Sequence, residues 1–181
     1  NFAQTSKKSA LLVIDMQENL LNPNSKIHID TTNIDLFIRN VNTSISNFNT
    51  NSIVLYVVNE WTNPIQNFAT ANVCKKGGAG VGLDTRLTIV NNLIFSKSKS
   101  NALTNKDLLN YLKNNNINDI YIVGLLAEGC VKATAKGLHK ENFNVIIIED
   151  ALGSKNKTKK HKTLEYFTKH NIKILFNVNS M

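Results

Sequence analysis

The stretch DIYIVGLLAEGCVKATAKGLHK, residues 119–140, predicts a buried strand, a short connection and a helix. Residues 120–123 form an unbroken apolar run that has the length of a strand. Beyond it, apolar and small side chains recur at helical spacing, at Val131, Ala135 and Leu138. A strand that is apolar on both faces and leads into a helix is typical of a parallel sheet with helices on both sides.

The same alternation extends over the rest of the chain. It predicts an α/β fold, specifically a three-layer α/β/α, Rossmann-like arrangement around a six-stranded parallel sheet. We expect one domain, 1–181, that begins with a polar N-terminal extension, 1–9. Residues 60–91 read as a long irregular loop. The expected strands are residues 10–15, 52–58, 92–96, 119–124, 144–150 and 172–176.

The composition argues against several classes of protein. Two cysteines are too few for a disulfide scaffold, and the apolar runs are too short to span a bilayer. The net charge of +8 invites a nucleic-acid interpretation, but Arg39 and Arg86 are the only arginines. We therefore expect neither a nucleic acid nor a membrane as partner. The expected location is cytoplasmic, with export after removal of a signal peptide as the alternative.

Three reactive side chains follow different predicted strands. Asp15 ends the first strand, Lys97 follows the third, and Cys130 opens the helix after the fourth. Ligands of open parallel sheets bind at the carboxyl ends of the strands, so these side chains converge on one edge. A helix N-terminus and a nearby ammonium lower the pKa of a thiol, and a carboxylate can take its proton. Taken singly, a loop carboxylate, a surface lysine and a small buried thiol remain the alternatives.

The residues around these positions match a known pattern. The chain resembles the isochorismatase-like cysteine hydrolases, a superfamily that includes nicotinamidases and N-carbamoylsarcosine amidase. The resemblance covers residues 10–176, and its most specific part is the segment around Cys130. The matching segments are LLVIDMQENLLNP (11–23), GAGVGLDTRL (78–87), FSKSKSNAL (95–103) and IVGLLAEGCVKATAKG (122–137).

The resemblance implies a catalytic triad. Asp15 would be the general base, Lys97 the cation that stabilises the thiolate and orients Asp15, and Cys130 the nucleophile. Lys99 is the rival for the lysine role, and the spacing to Ala102 favours Lys97.

The resemblance also implies a cis peptide bond between Leu125 and Leu126, shortly before the nucleophile. Such a bond would aim the backbone N–H of Leu126, together with that of Cys130, at a developing oxyanion.

Four further residues are candidates for the substrate pocket, and two of them have a structural alternative. Gln17 either lines the pocket or is a polar residue at a helix entry, and Trp61 is either a pocket wall or a core residue. Leu103 stands where relatives carry an aromatic residue, and Ala127 stands where many carry Thr or Ser. These two replacements also support the alternative of a binding protein that kept the fold and lost turnover.

Departures from the pattern narrow the expected activity. Nicotinamidases carry a histidine-containing metal site after the second strand, whereas residues 59–64 here contain no His, so we expect no metal and no cofactor. True isochorismatases lack the cysteine, so Cys130 favours hydrolysis of an amide, carbamoyl or ureido C–N bond. The expected partners are a small-molecule substrate and further copies of the chain, in a dimer or tetramer.

Overall fold

The sheet of this computed structural model, which describes residues 8–30, 32–50 and 52–180, has six strands within those ranges. All neighbouring strands are parallel, in the order β3-β2-β1-β4-β5-β6. The predicted α/β fold with a six-stranded parallel sheet is therefore confirmed. The strands are β1 (Lys8–Ile14), β2 (Ile53–Asn59), β3 (Ile94–Lys97), β4 (Ile117–Gly124), β5 (Asn144–Leu152) and β6 (Lys173–Leu175).

Helices cover both faces of the sheet, which makes the expected three layers. They are α1 (Glu18–Leu21), α2 (Ile34–Asn49), α3 (Pro64–Ala69), α4 (Lys106–Asn114), α5 (Lys132–Lys140) and α6 (Lys157–Lys169). A π-helical turn, Ala127–Val131, precedes α5. In the described part of the chain, no helix is long and apolar enough to cross a membrane.

The alternating side chains of β1 divide the core into two halves. Leu12 and Ile14 pack with residues of α4, α5 and α6 on one face of the sheet. Leu11 and Val13 pack with α1 and α2 on the other face. All four side chains are fully buried. Both faces of β1 are therefore apolar because both are covered, as a central parallel strand requires.

Several predicted boundaries shift. Residues 60–91 are not wholly irregular, because they contain α3, which Asn63 caps by accepting from the backbone N–H groups of residues 65 and 66. The helix expected to begin at Cys130 begins at Lys132 instead, since the π-helical turn comes first. Of the predicted polar extension, residues 1–7 lie outside the described residues, while Lys8 and Ser9 belong to β1.

One glycine determines how closely the central strands β1 and β4 approach each other. Gly124 pairs with Ile14 across the β1–β4 ladder and has a φ of 109°. A Cβ atom at this position would collide with the backbone of Ile14. Only glycine combines this conformation with such a close contact. The approach fixes the end of β1 immediately before Asp15.

We expect Gly124→Ala to lower the free energy of unfolding by about 3 kcal/mol or more, from backbone strain and the steric clash. Urea unfolding monitored by circular dichroism measures this change. Gly82→Ala is the matched control, because a Cβ at Gly82 meets no atom within 4 Å. Equal stability of the two variants would contradict the close approach.

Candidate functional site

Four adjacent strands bring their carboxyl ends to one edge of the sheet. Asp15 follows β1, Asn59 ends β2, Lys97 ends β3, and Cys130 lies in the π-helical turn after β4. Asp15 has a φ of 57°, a left-handed conformation that turns the chain out of the strand. Its backbone N–H donates to the carbonyl of Val57 at 2.8 Å. The structure thus brings together the three residues of the predicted triad.

A buried ion pair lies at the centre of this cluster. Lys97 Nζ is 3.0 Å from Asp15 Oδ2, and the two side chains are 0% and 1% exposed. The same Nζ lies 3.2 Å from Cys130 Sγ. Lys99, the rival for the lysine role, is exposed. Lys97 therefore contacts both the carboxylate and the thiol.

Burial and the mutual attraction of the two charges shift the pKa values of the ion pair. Burial raises the pKa of Asp15 above its usual value, although the charge of Lys97 opposes this shift. Burial acts to lower the pKa of Lys97, but the charges of Asp15 and Cys130 outweigh it and the net shift is upward. Lys97 therefore stays charged at neutral pH.

The thiol differs from the sequence-based expectation. Burial, followed by the charge of Asp15, raises the pKa of Cys130 to about 11, with Lys97 acting in the opposite direction. The expected net lowering of the pKa was wrong: Lys97 acts in the expected direction, but burial and the charge of Asp15 outweigh it, and α5 begins two residues after Cys130. At neutral pH the resting group is therefore the thiol.

The two oxygens of the Asp15 carboxylate differ in their hydrogen-bond partners. Oδ2 accepts from Lys97 and from Asn59 Nδ2, the latter at 2.7 Å. Oδ1 is buried and has no nitrogen or oxygen donor among the described residues. The carboxylate and the thiol share the Lys97 ammonium, whose Nζ lies 3.0 Å from Oδ2 and 3.2 Å from Cys130 Sγ. Oδ1 is therefore an oxygen of this cluster that no donor of the described residues occupies.

An unusual peptide bond precedes the π-helical turn that carries Cys130. The Leu125–Leu126 peptide bond is cis. In the described part of the chain, the Leu126 N–H donates to no backbone carbonyl. Cys130 is partly exposed, whereas Asp15 and Lys97 are buried. Cys130 is therefore the most exposed of the three residues.

The loop after β5 holds this turn in place. Gly153 donates its N–H to the Gly124 carbonyl at 2.9 Å and accepts from Ala127 N–H at 2.8 Å. The Ser154 hydroxyl donates to Glu128 Oε2 at 2.7 Å. These bonds connect the turn with a second strand end and limit its movement.

The other predicted pocket residues are buried, and as pocket residues they stay predictions. Trp61 packs in the core on the α2 side of the sheet, and Leu103 and Ala127 pack on the α4 side. Gln17 is fully buried, and its amide pairs with the backbone of Asn59.

Sequence reasoning missed Asn59. Its Oδ1 accepts from Lys97 Nζ at 2.6 Å, and its Nδ2 lies 3.7 Å from Cys130 Sγ. A signal was available, because Asn59 ends a strand at the same edge as Asp15.

A polar cleft opens beside the end of β3. Its volume is about 250 Å³, and Lys97 forms part of its wall. Glu60 and Lys76 place one acidic and one basic side chain in the lining, with Thr62 and Thr104 nearby. Of the three residues of the predicted triad, Lys97 is the one that lines this cleft.

Comparison with known proteins identifies related chains. The family model described as "Isochorismatase domain" matches residues 9–175. No curated protein matches the chain.

Solved structures share the fold at low sequence identity. An isochorismatase-like hydrolase from Alkaliphilus metalliredigens aligns with a TM-score of 0.84 at 19% identity, covering 96% of each chain. N-carbamoylsarcosine amidase from Thermoplasma acidophilum gives 0.75 at 20%, covering 92% of this chain and 95% of its own. Nicotinamidase from Bacillus subtilis gives 0.75 at 20%, covering 92% and 98%.

We expect Cys130 to show no thiolate at about pH 7 and to ionise only above about pH 10, because its pKa is raised. The difference in absorbance at 240 nm between wild type and Cys130→Ser measures this ionisation. The subtraction removes Cys74, whose pKa burial raises to about 12. A full thiolate signal at about pH 7 would contradict a protonated Cys130 at rest.

We expect Lys97→Met to lower the free energy of unfolding by about 3–5 kcal/mol, since it leaves the buried Asp15 carboxylate without its cation. The double variant Lys97→Met/Asp15→Asn should recover much of the lost free energy of unfolding. Urea unfolding at neutral pH tests both variants, with the exposed Lys99→Met as control. A change for Lys97→Met no larger than that control would show that the ion pair is not needed for stability.

Proposed function

The chain belongs to the isochorismatase family of hydrolases, and from that membership we propose that it hydrolyses a C–N bond of a small amide, carbamoyl or ureido compound. The observation that supports this most strongly is the contact of one buried ammonium with both Asp15 and Cys130. A thiol, a base and a cation in mutual contact are the groups that covalent hydrolysis of an amide requires.

The first half of the reaction forms a thioester. Asp15 Oδ1 takes the thiol proton as Cys130 Sγ attacks the carbonyl carbon of the substrate. The N–H groups of Leu126 and Cys130 donate to the oxyanion of the tetrahedral intermediate. Protonated Asp15 then gives its proton to the leaving nitrogen, the C–N bond breaks, and ammonia or an amine departs.

The second half releases the acid. Asp15, ionised again, takes a proton from a water molecule, and the resulting hydroxide attacks the thioester carbonyl. The C–S bond breaks, and the proton returns to the sulfur. Lys97 stays charged throughout and stabilises whichever neighbour carries the negative charge. These steps need no cofactor.

The raised pKa values of Asp15 and Cys130 support this order of proton transfer. A buried carboxylate of raised pKa is a stronger base than an ordinary Asp, which favours its uptake of the thiol proton. A protonated resting thiol requires the base that Asp15 supplies. The expected homo-oligomer and cytoplasmic location stay predictions.

We expect at least one compound in a panel of primary amides, ureido acids and carbamoyl compounds to release ammonia. Cys130→Ser and Asp15→Asn should each lower kcat by about 10³-fold or more, because the residues of such a group act as a unit. Cys74→Ser, which changes a buried thiol of the core, is the matched control and should retain turnover.

Equal turnover by wild type and Cys130→Ser would overturn the covalent mechanism. Thermal stabilisation of the protein by a panel compound without any turnover would favour the binding-protein alternative.

A further inference from the structure

Asn59 contacts all three members of the triad. Nδ2 is 2.7 Å from Asp15 Oδ2 and 3.7 Å from Cys130 Sγ. Oδ1 accepts from Lys97 Nζ at 2.6 Å. The side chain is 3% exposed, so these partners replace water. A buried amide in contact with every reactive group is in a position to affect the chemistry directly.

The charges of the partners determine the orientation of the amide. The Lys97 ammonium can only donate, so it has to face Oδ1. The Asp15 carboxylate can only accept, so it has to face Nδ2. A flipped amide would place donor against donor and acceptor against acceptor. Both hydrogens of Nδ2 therefore point towards the groups that exchange the proton.

Gln17 holds the residue in register. Its Oε1 accepts the Asn59 N–H at 2.8 Å, and its Nε2 donates to the Asn59 carbonyl at 3.0 Å. Nε2 also donates to the carbonyl of Val81 at 2.6 Å. The backbone of Asn59 is thus fixed on both sides of its Cα by one fully buried side chain.

We propose that Asn59 is a fourth catalytic residue, which keeps Asp15 ionised before the attack and donates a hydrogen bond to the Cys130 thiolate once the proton has moved to Asp15. This inference rests on the proposed function. After the transfer, Asp15 is neutral and the negative charge lies on sulfur. Lys97 Nζ and the second N–H of Asn59 are then the donors that face it, and a charged acceptor strengthens both bonds.

The identity of the residue matters for this role. An aspartate at position 59 would have the same shape but would place a second carboxylate against Asp15. Two carboxylates would compete for one ammonium, and like charges oppose ionisation. The sulfur would also face an acceptor in place of a donor.

Two substitutions test the role. We expect Asn59→Ala and Asn59→Asp to lower kcat by about 10²-fold, the typical loss for one donor to a developing charge, with KM within about threefold. The acidic limb of the pH profile of kcat/KM, which reports Asp15, should move to higher pH in Asn59→Ala, because a hydrogen bond to the carboxylate is lost. A purely structural role would not move that limb.

Asn67→Ala is the matched control, because Asn67 is a similarly buried amide that donates to the Trp61 carbonyl and not to the triad. It should keep the wild-type kcat and pH profile. Wild-type kcat and an unmoved acidic limb in Asn59→Ala would overturn the inference, while the loss of turnover in Cys130→Ser would still support the proposed function.

A measurement that needs no substrate separates the role of Asn59 from the proposed function. The rate of alkylation of Cys130 by iodoacetamide at about pH 8 should fall about tenfold in Asn59→Ala and stay unchanged in Asn67→Ala. Mass spectrometry of the labelled peptide assigns the modified cysteine, and circular dichroism verifies folding. An alkylation rate in Asn59→Ala equal to that of wild type would overturn the inference even if no substrate were known.

Discussion

The ion pair between Lys97 and Asp15 is the interaction on which the site depends. Removing both charges from water is costly, and a mutual distance of 3.0 Å offsets that cost only while both partners stay in place. Asn59 supplies further hydrogen bonds to each partner. A buried ammonium that is already neutralised cannot also lower the pKa of a thiol by its full charge. Cys130 is consequently a thiol at rest, and under the proposed function it depends on Asp15 for activation.

Local backbone strain helps to place the Asp15 carboxylate next to Lys97. Asp15 adopts a left-handed conformation that costs a residue other than glycine about 1–3 kcal/mol. Gly124 permits the close approach of β4 to the strand that carries Asp15. The loop at Gly153 then bonds to the end of β4 and to the nucleophile turn. Strand ends therefore position the carboxylate and the ammonium, and a turn that is hydrogen-bonded to the loop after β5 positions the thiol.

Amides complete the site without adding charge. Gln17 pairs with the backbone of Asn59, and the Asn59 side chain joins the ion pair to the sulfur. Each of these groups both donates and accepts, so it satisfies its neighbours whatever the position of the proton. In the proposed mechanism, a neutral bridge of this kind lets the negative charge move between carboxylate and sulfur while its neighbours stay in place.

The sequence by itself determined the parallel α/β fold, because strands that are apolar on both faces have to be covered by helices on both sides. It also identified Asp15, Lys97 and Cys130, because strand ends of a parallel sheet share an edge. Only the tertiary structure decided that the thiol is protonated at rest and that Asn59 joins the triad. Burial and hydrogen-bond partners determine both properties. They depend on distances between residues that lie far apart in the sequence, such as Asp15 and Cys130, and local sequence patterns do not encode those distances.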